Sequence, residues 1–266
     1  MLGNARQFIR QKRRAAPFRA LATLSEKYLR AWYNDGFFIF DRNGESFAIR
    51  VFARWNKDAP VTIWDVGAHE GEWAREVHAL IPSAQVVSFE ILKPIADRIP
   101  QADWLQIENL GMSDREGEVS VMWNHSYDST NSINPRMTNQ WFESANLEQM
   151  ACHVTTVDLY RAGKNSPALL KIDTEGHERA ILDGAHELLA GPDAPAMIQF
   201  EYGDTWLMTG STLHYVQTLL ESCGYSVGRL FPDHVEFKAY DCADDHFRMG
   251  NMIAVKDARL KAMLAG

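Results

Sequence analysis

The sequence predicts an α/β fold in which a mostly parallel sheet is covered on both faces by helices. Three observations predict it. From residue 61 onward, short apolar strand-like runs alternate with segments of helical periodicity. Two of those runs end in a carboxylate and pass through a glycine-punctuated turn towards a helix: Asp65-Val66-Gly67-Ala68-His69-Glu70-Gly71, and Leu169-Leu170-Lys171-Ile172-Asp173-Thr174-Glu175-Gly176-His177-Glu178. No internal repeat or low-complexity tract competes with this pattern. In an open α/β sheet the carboxyl ends of the strands form the ligand crevice, so both segments belong to one candidate site.

The elements follow in order. Residues 1 to about 34 read as helical and cationic, with Arg10, Lys12, Arg13, Arg14 and Arg19 among scattered apolar residues. A solvated helical face is the plainer reading, ahead of a patch for a membrane surface or an acidic partner. Phe37-Phe38-Ile39-Phe40 and the alternating Phe47, Ile49 and Val51 flank Asn43-Gly44. This pattern predicts a β-hairpin, because both central turn positions favour positive φ. Strands are expected at 61–66, 85–90 and 104–110, with a helix at 72–80 that stops before Pro82. Residues 118–122 are expected to pair with the third strand across Glu116-Gly117.

Residues 124–150 are polar and poorly periodic, with Asn124, Ser126, Asp128, Ser129, Asn131 and Ser132 close together. A long loop of that kind reads as a lid or binding loop. Further strands are expected at 168–172, 196–202, 225–231, 235–240 and 251–255, and helices at 178–189 and 212–222. The organisation is therefore an N-terminal helix and hairpin extension over 1–58 and a ligand-binding domain over 59–266.

Bulk composition excludes several classes. With 266 residues, 46% hydrophobic and 23% charged, the chain can bury an ordinary core. A net charge of −8 argues against a nucleic-acid partner, which needs a basic face. Cys152, Cys223 and Cys242 are odd in number and lack CxxC spacing, so neither a disulfide framework nor a zinc knuckle is expected. A reducing, cytoplasmic setting fits them. No apolar run is long enough to span a bilayer, and the basic N-terminus lacks a signal-peptide core.

The first segment carries the cofactor chemistry. A strand, glycine turn and helix present backbone N–H groups and the positive end of a helix dipole. Dinucleotide folds place G-x-G-x-x-G there, whereas this chain has D-x-G-x-x-x-G with Ala68-His69-Glu70 between the glycines. That spacing and its acidic side chains suit a pyrophosphate poorly. They suit the sulfonium and amino-acid end of S-adenosylmethionine better. Glu90 ends the next strand about twenty residues on, where a carboxylate accepts from ribose hydroxyls. Gly111-Met112-Ser113-Asp114 then offers an adenine slot, though the same letters also make an ordinary turn.

The second segment carries the acceptor chemistry. Asp173 ends its strand, and Glu175 and His177 follow within a single turn. Methyl transfer to a hydroxyl needs an aligned oxygen and a proton acceptor, and histidine is the usual base. A histidine that merely caps or packs beneath the helix is the equal alternative. Asp173, Glu201 and Asp204 could hold Mg²⁺ and orient a diol, but no spacing demands it, so no metal ligand is assigned. Trp123, Trp141, Tyr202 and Trp206 would flank the cleft, where aromatic faces stack on sugars as readily as they fill cores.

D-V-G-A-H-E-G at 65–71, S-F-E at 88–90, N-x-G-x-S-D at 109–114, T-V-D-L at 156–159 and L-K-I-D-T-E-G-H-E at 170–178 together resemble the FkbM family of methyltransferases. The likeness spans roughly residues 60 to 256 and includes Asn251-Met252-Ile253-Ala254-Val255. It implies a class I methyltransferase-like (Rossmann-like) sheet of seven strands. It also implies S-adenosylmethionine as cofactor and transfer to oxygen, commonly on sugars or polyketide-like metabolites. By position it puts Asp65, Gly67, Ala68, His69, Gly71 and Glu90 around the cofactor, and Asp173, Glu175 and His177 near the acceptor. His69 departs from the family's pattern by standing where asparagine is expected. Residues 1–58 lie outside the likeness and are expected to shape the acceptor pocket or a homodimer contact. The alternatives are an NAD(P)-dependent oxidoreductase on a related sheet and a non-catalytic scaffold.

Overall fold

The computed structural model describes residues 2–36, 38–57, 59–125, 133 and 147–266. Helices α1 (Leu2–Lys12), α2 (Ala16–Trp32) and α3 (Glu45–Asn56) precede the sheet. The alternation then runs β1 (Val61–Val66), α4 (Glu72–Leu80), β2 (Ala84–Phe89), α5 (Lys93–Ala96) and β3 (Leu105–Glu108). Strands β4 (Gly111–Met112), β5 (Gly117–Asn124) and β6 (Leu147–Thr155) follow, then α6 (Val157–Tyr160) and β7 (Leu169–Ile172). The chain continues through α7 (Glu178–Asp183), α8 (His186–Ala190), β8 (Met197–Tyr202), α9 (Leu213–Ser222), β9 (Ser226–Leu230), β10 (Val235–Phe237), β11 (Gly250–Val255) and α10 (Ala258–Ala265).

The main sheet has the order β10-β9-β11-β8-β7-β1-β2-β3. Its five strands from β8 to β3 are parallel, and β11 runs antiparallel between β8 and β9. This is the expected seven-stranded sheet with β10 added at the edge. The chain steps from β1 outward to β2 and β3, and later returns to β7 on the other side of β1. That reversal opens a crevice at the carboxyl ends of β1 and β7.

Two apolar clusters sandwich the sheet. One packs α3, α4 and α10 around Ile49, Phe52, Val77, Ile253 and Leu260. The other buries Ile181, Leu188, Val216 and Leu220 against Leu170, Ile198 and Phe200. Among the described residues no helix is long and apolar enough to cross a membrane.

Three expectations are corrected. The hairpin at 37–51 does not form: residues 45–56 are helix α3. Ala48, Ile49, Phe52 and Ala53 are its buried face, a helical spacing that outweighs the apparent alternation of Phe47, Ile49 and Val51. Asn43-Gly44 starts that helix instead of turning a hairpin. Gly44 holds φ +102°, and Asn43 Oδ1 accepts from the Glu45 N–H at 3.0 Å. Residues 118–122 pair with β6, in a separate sheet of order β4-β6-β5, and not with β3. The helix expected at 178–189 breaks into α7 and α8 at Gly184, where an added Cβ would sit 2.0 Å from the Ser113 carbonyl oxygen. Phe37 and most of the loop at 124–150, Trp141 included, lie outside the described residues.

Candidate active site

The carboxyl ends of β1, β2, β7 and β8 open onto a cavity of about 500 Å³. Gly67, Ala68, His69, Glu90, Gly111, Met112, Asp173, Glu175 and His177 all line it. The structure thus brings together residues that are more than a hundred positions apart. Asp65, Gly71 and Ser113 lie behind the wall instead.

Asp65 is fully buried beneath the cavity, with its carboxylate 3.1 Å from Lys171 Nζ. Strand register explains the contact: Asp65 stands opposite Ser88 on one side and Lys171 on the other, and Lys171 stands opposite Gln199. The result is a buried polar row across four strands. Gln199 Nε2 donates to Glu45 of α3, whose carboxylate also accepts from Asn43 Nδ2. Lys171 Nζ additionally reaches the Gly67 carbonyl at 3.3 Å and Asp173 Oδ2 at 3.5 Å. Burial raises the Asp65 and Glu45 carboxyls above their ordinary values, against the opposing pull of the Lys171 ammonium on Asp65 and of Asn43 and Lys171 on Glu45. The carboxylates hold the Lys171 ammonium above its ordinary range despite its burial. Lys171 was legible only as the single charge in an apolar strand.

The glycine turn is tied to its neighbours. Gly67 has φ +81°, and a Cβ there would lie 1.8 Å from the Asp173 carbonyl oxygen, so only glycine lets the ends of β1 and β7 meet. The N–H groups of Gly67 and Ala68 both donate to the Phe89 carbonyl at 3.0 Å. The His69 N–H donates to Glu90 Oε2 at 3.0 Å, and Gly71 N–H to Ala68 O at 2.8 Å. These donors, expected to face a ligand, are spent on the end of β2 and on the turn itself. Glu90 Oε1 accepts from Leu92 N–H at 2.9 Å, so backbone donors aim both carboxylate oxygens. Burial raises the Glu90 carboxyl to about 7.

His177 precedes α7 and lies against β4's extension. Its Nε2 is 2.9 Å from Ser113 Oγ, and Ser113 Oγ donates to Asp114 Oδ1 at 3.1 Å. A hydroxyl has one proton to give, and that proton goes to the carboxylate. Ser113 therefore accepts from Nε2–H, which assigns the tautomer from the network and leaves Nδ1 unprotonated. Burial lowers the pKa of the imidazole, which favours the neutral form. Ser113 thus contacts His177 and does not line the cavity, while its neighbours Gly111 and Met112 do.

The loop between β7 and α7 is held by Glu178, which is fully buried. Its carboxylate accepts from Thr174 N–H and Oγ1, Gly176 N–H and Trp206 Nε1, at 2.7 to 3.2 Å. Glu178 is a further residue of the site, signalled in the sequence only by its place beside His177. Trp206 and Tyr202 are core residues of the second cluster, and Trp123 of β5 packs in a third with Leu92, Ile95, Val121 and Cys152. None of the three lines the cavity, where Phe38, Trp73 and Phe89 supply the aromatic surface instead. His69 and Glu175, both at the cavity wall, hold positive φ of +49° and +58°. Strained backbone of this kind concentrates at functional sites. Among the described residues no three His, Cys, Asp or Glu side chains group as a metal site.

The fold is similar to solved methyltransferases. Against methyltransferase FkbM from Methylobacillus flagellatus KT the TM-score is 0.45 at 14% identity, covering 74% of this chain and 44% of that one. Against the plantazolicin methyltransferase BpumL in complex with SAH it is 0.45 at 11% identity, covering 97% and 99%. For a TehB-like SAM-dependent methyltransferase from Corynebacterium glutamicum ATCC 13032 Kitasato it is 0.43 at 12%, covering 89% and 100%. Comparison with curated proteins finds no match. Residues 65–227, more than half of the chain, match the family described as Methyltransferase FkbM domain, and the chain belongs to that family of methyltransferases.

Proposed function

We propose that the protein is an S-adenosylmethionine-dependent O-methyltransferase that acts on a hydroxyl of a sugar-containing or polyketide-like small molecule or glycan. The observation that carries this reading is that the Glu90 carboxylate and the His177 imidazole line one cavity. The residues fit the cofactor. Glu90 has both oxygens aimed by backbone donors and lone pairs to spare for a ribose diol. Ile91, Ile95, Leu110 and Met112 offer an apolar wall for adenine. Five carboxylates line the cavity against one lysine, a balance that favours a cationic sulfonium over a dianionic pyrophosphate.

When bound, the cofactor supplies an electrophilic methyl group. His177 accepts the acceptor hydroxyl's proton at Nδ1, while Ser113 and Asp114 fix its tautomer. Asp173 and Glu175 line the same wall and orient acceptor hydroxyls. An oxidoreductase reading finds less support, because the turn's N–H groups at 67–69 already serve Phe89 and Glu90. The test is incubation with methyl-labelled S-adenosylmethionine and a panel of glycosylated and polyketide-like alcohols. Label recovered as an O-methyl ether is expected. NADH binding with no methyl transfer to any acceptor would replace this reading with the oxidoreductase.

A further inference from the structure

Charge is segregated along this chain. Residues 1–36 carry eight basic and two acidic side chains, a net +6 in a protein whose total is −8, so the remainder carries −14. The first acidic residue is Glu26, preceded by Arg6, Arg10, Lys12, Arg13, Arg14 and Arg19, all exposed. Helix α2 is amphipathic but buries none of its residues. Leu21, Leu24, Tyr28 and Trp32 form one stripe along it and are 55–63% exposed. Phe8 and Ile9 of α1 are about half exposed, and Phe8 meets Phe18 of α2 edge to face at 5.7 Å. A stripe of this kind on a helix of a folded protein marks a contact surface.

The arm is nonetheless fixed to the body. Arg229 Nε donates to the Tyr33 carbonyl at 2.7 Å, and Asn34 Nδ2 donates to the carbonyls of Asn43 and Leu230. Arg248 pairs with Glu26 at 3.2 Å. The stripe is therefore presented outward from an anchored helix.

We infer that α1 and α2 dock this protein on an anionic lipid bilayer surface, with the stripe seated at the headgroup boundary. Such a surface supplies apolar depth for leucine and negative charge for the arginines, and Tyr28 and Trp32 are the side chains that settle at that boundary. A second copy joined through the same face would set +6 against +6. The acidic remainder of the molecule leaves the arm as the part that an anionic surface attracts. Phe38, just beyond α2, lines the site cavity, so a bilayer-held arm keeps that cavity close to the lipid.

The experiment is co-sedimentation of the full chain with vesicles of phosphatidylcholine alone or mixed with phosphatidylglycerol. Partitioning at least roughly tenfold stronger onto the anionic vesicles is expected, weakening as salt is raised. Leu24→Ser with Trp32→Ser should abolish it, and Arg13→Gln with Arg14→Gln should weaken it; all four residues are exposed, so the fold is retained. Equal pelleting of wild type and variants, or no preference for anionic vesicles, would overturn the inference. So would wild-type self-association that the stripe variants abolish, which would assign the face to a second copy.

Discussion

His177→Ala is expected to lower methyl-transfer turnover by about 10²–10⁴-fold, the usual cost of removing a general base, while S-adenosylhomocysteine affinity stays near wild type. The expectation follows from the chain Asp114–Ser113–His177, which leaves Nδ1 as the unprotonated ring nitrogen. Because burial lowers this pKa, the neutral base persists as pH falls below the ordinary histidine value, so the acid limb of the rate profile should lie below that value. Ser113→Ala should have a smaller effect and move the same limb. Turnover near wild type in His177→Ala, with normal cofactor affinity, would transfer the role to Asp173.

Lys171→Met is expected to cost about 3–5 kcal/mol of stability, the range for breaking a buried ion pair by removing one partner. The ammonium is the cation of the polar row, and Asp65, fully buried, has it as counter-charge at 3.1 Å. Without it, the Asp65 and Glu45 carboxyls would rise further above their ordinary values. A carboxyl whose pKa is raised on folding binds more protons in the folded state than in the unfolded one. Stability is then lost as pH climbs past the unfolded value, so the variant's deficit should be larger at neutral pH than in mild acid. Asp65→Asn added to Lys171→Met should restore part of the loss. Urea unfolding at two pH values measures both, and wild-type stability in Lys171→Met would contradict the account.

Much of the sheet was legible because its strands are buried on both faces and read as mainly apolar runs, as at 61–66 and 197–202, with Asp65 and Gln199 as buried polar exceptions. The region before it was misread because Phe47, Ile49 and Val51 alternate by chance within a helix whose buried face also includes Ala48, Phe52 and Ala53. Asn43-Gly44 served either outcome, since positive φ suits a hairpin turn and a helix start alike. In the site, residue types at strand ends were readable, and the cavity gathers most of them. Pairings were not. Ser113 and His177 are 64 residues apart in sequence, and their meeting goes with a close approach of the chain at Gly184 to the Ser113 carbonyl that spacing does not reveal. Nor could spacing alone show that the glycine turn spends its donors on Phe89 and Glu90, because that depends on how closely β2 passes the turn.

The most direct test of the central claim is calorimetric titration of the wild type and of Glu90→Ala with S-adenosylhomocysteine across pH. Saturable binding is expected for the wild type and none for the variant. Ribose hydroxyls donate to the ionised carboxylate, and burial places the Glu90 carboxyl at about 7. Wild-type affinity should therefore fall as pH drops below about 7, approaching tenfold per pH unit. No binding by the wild type, or binding by Glu90→Ala with unchanged affinity and pH dependence, would contradict the account.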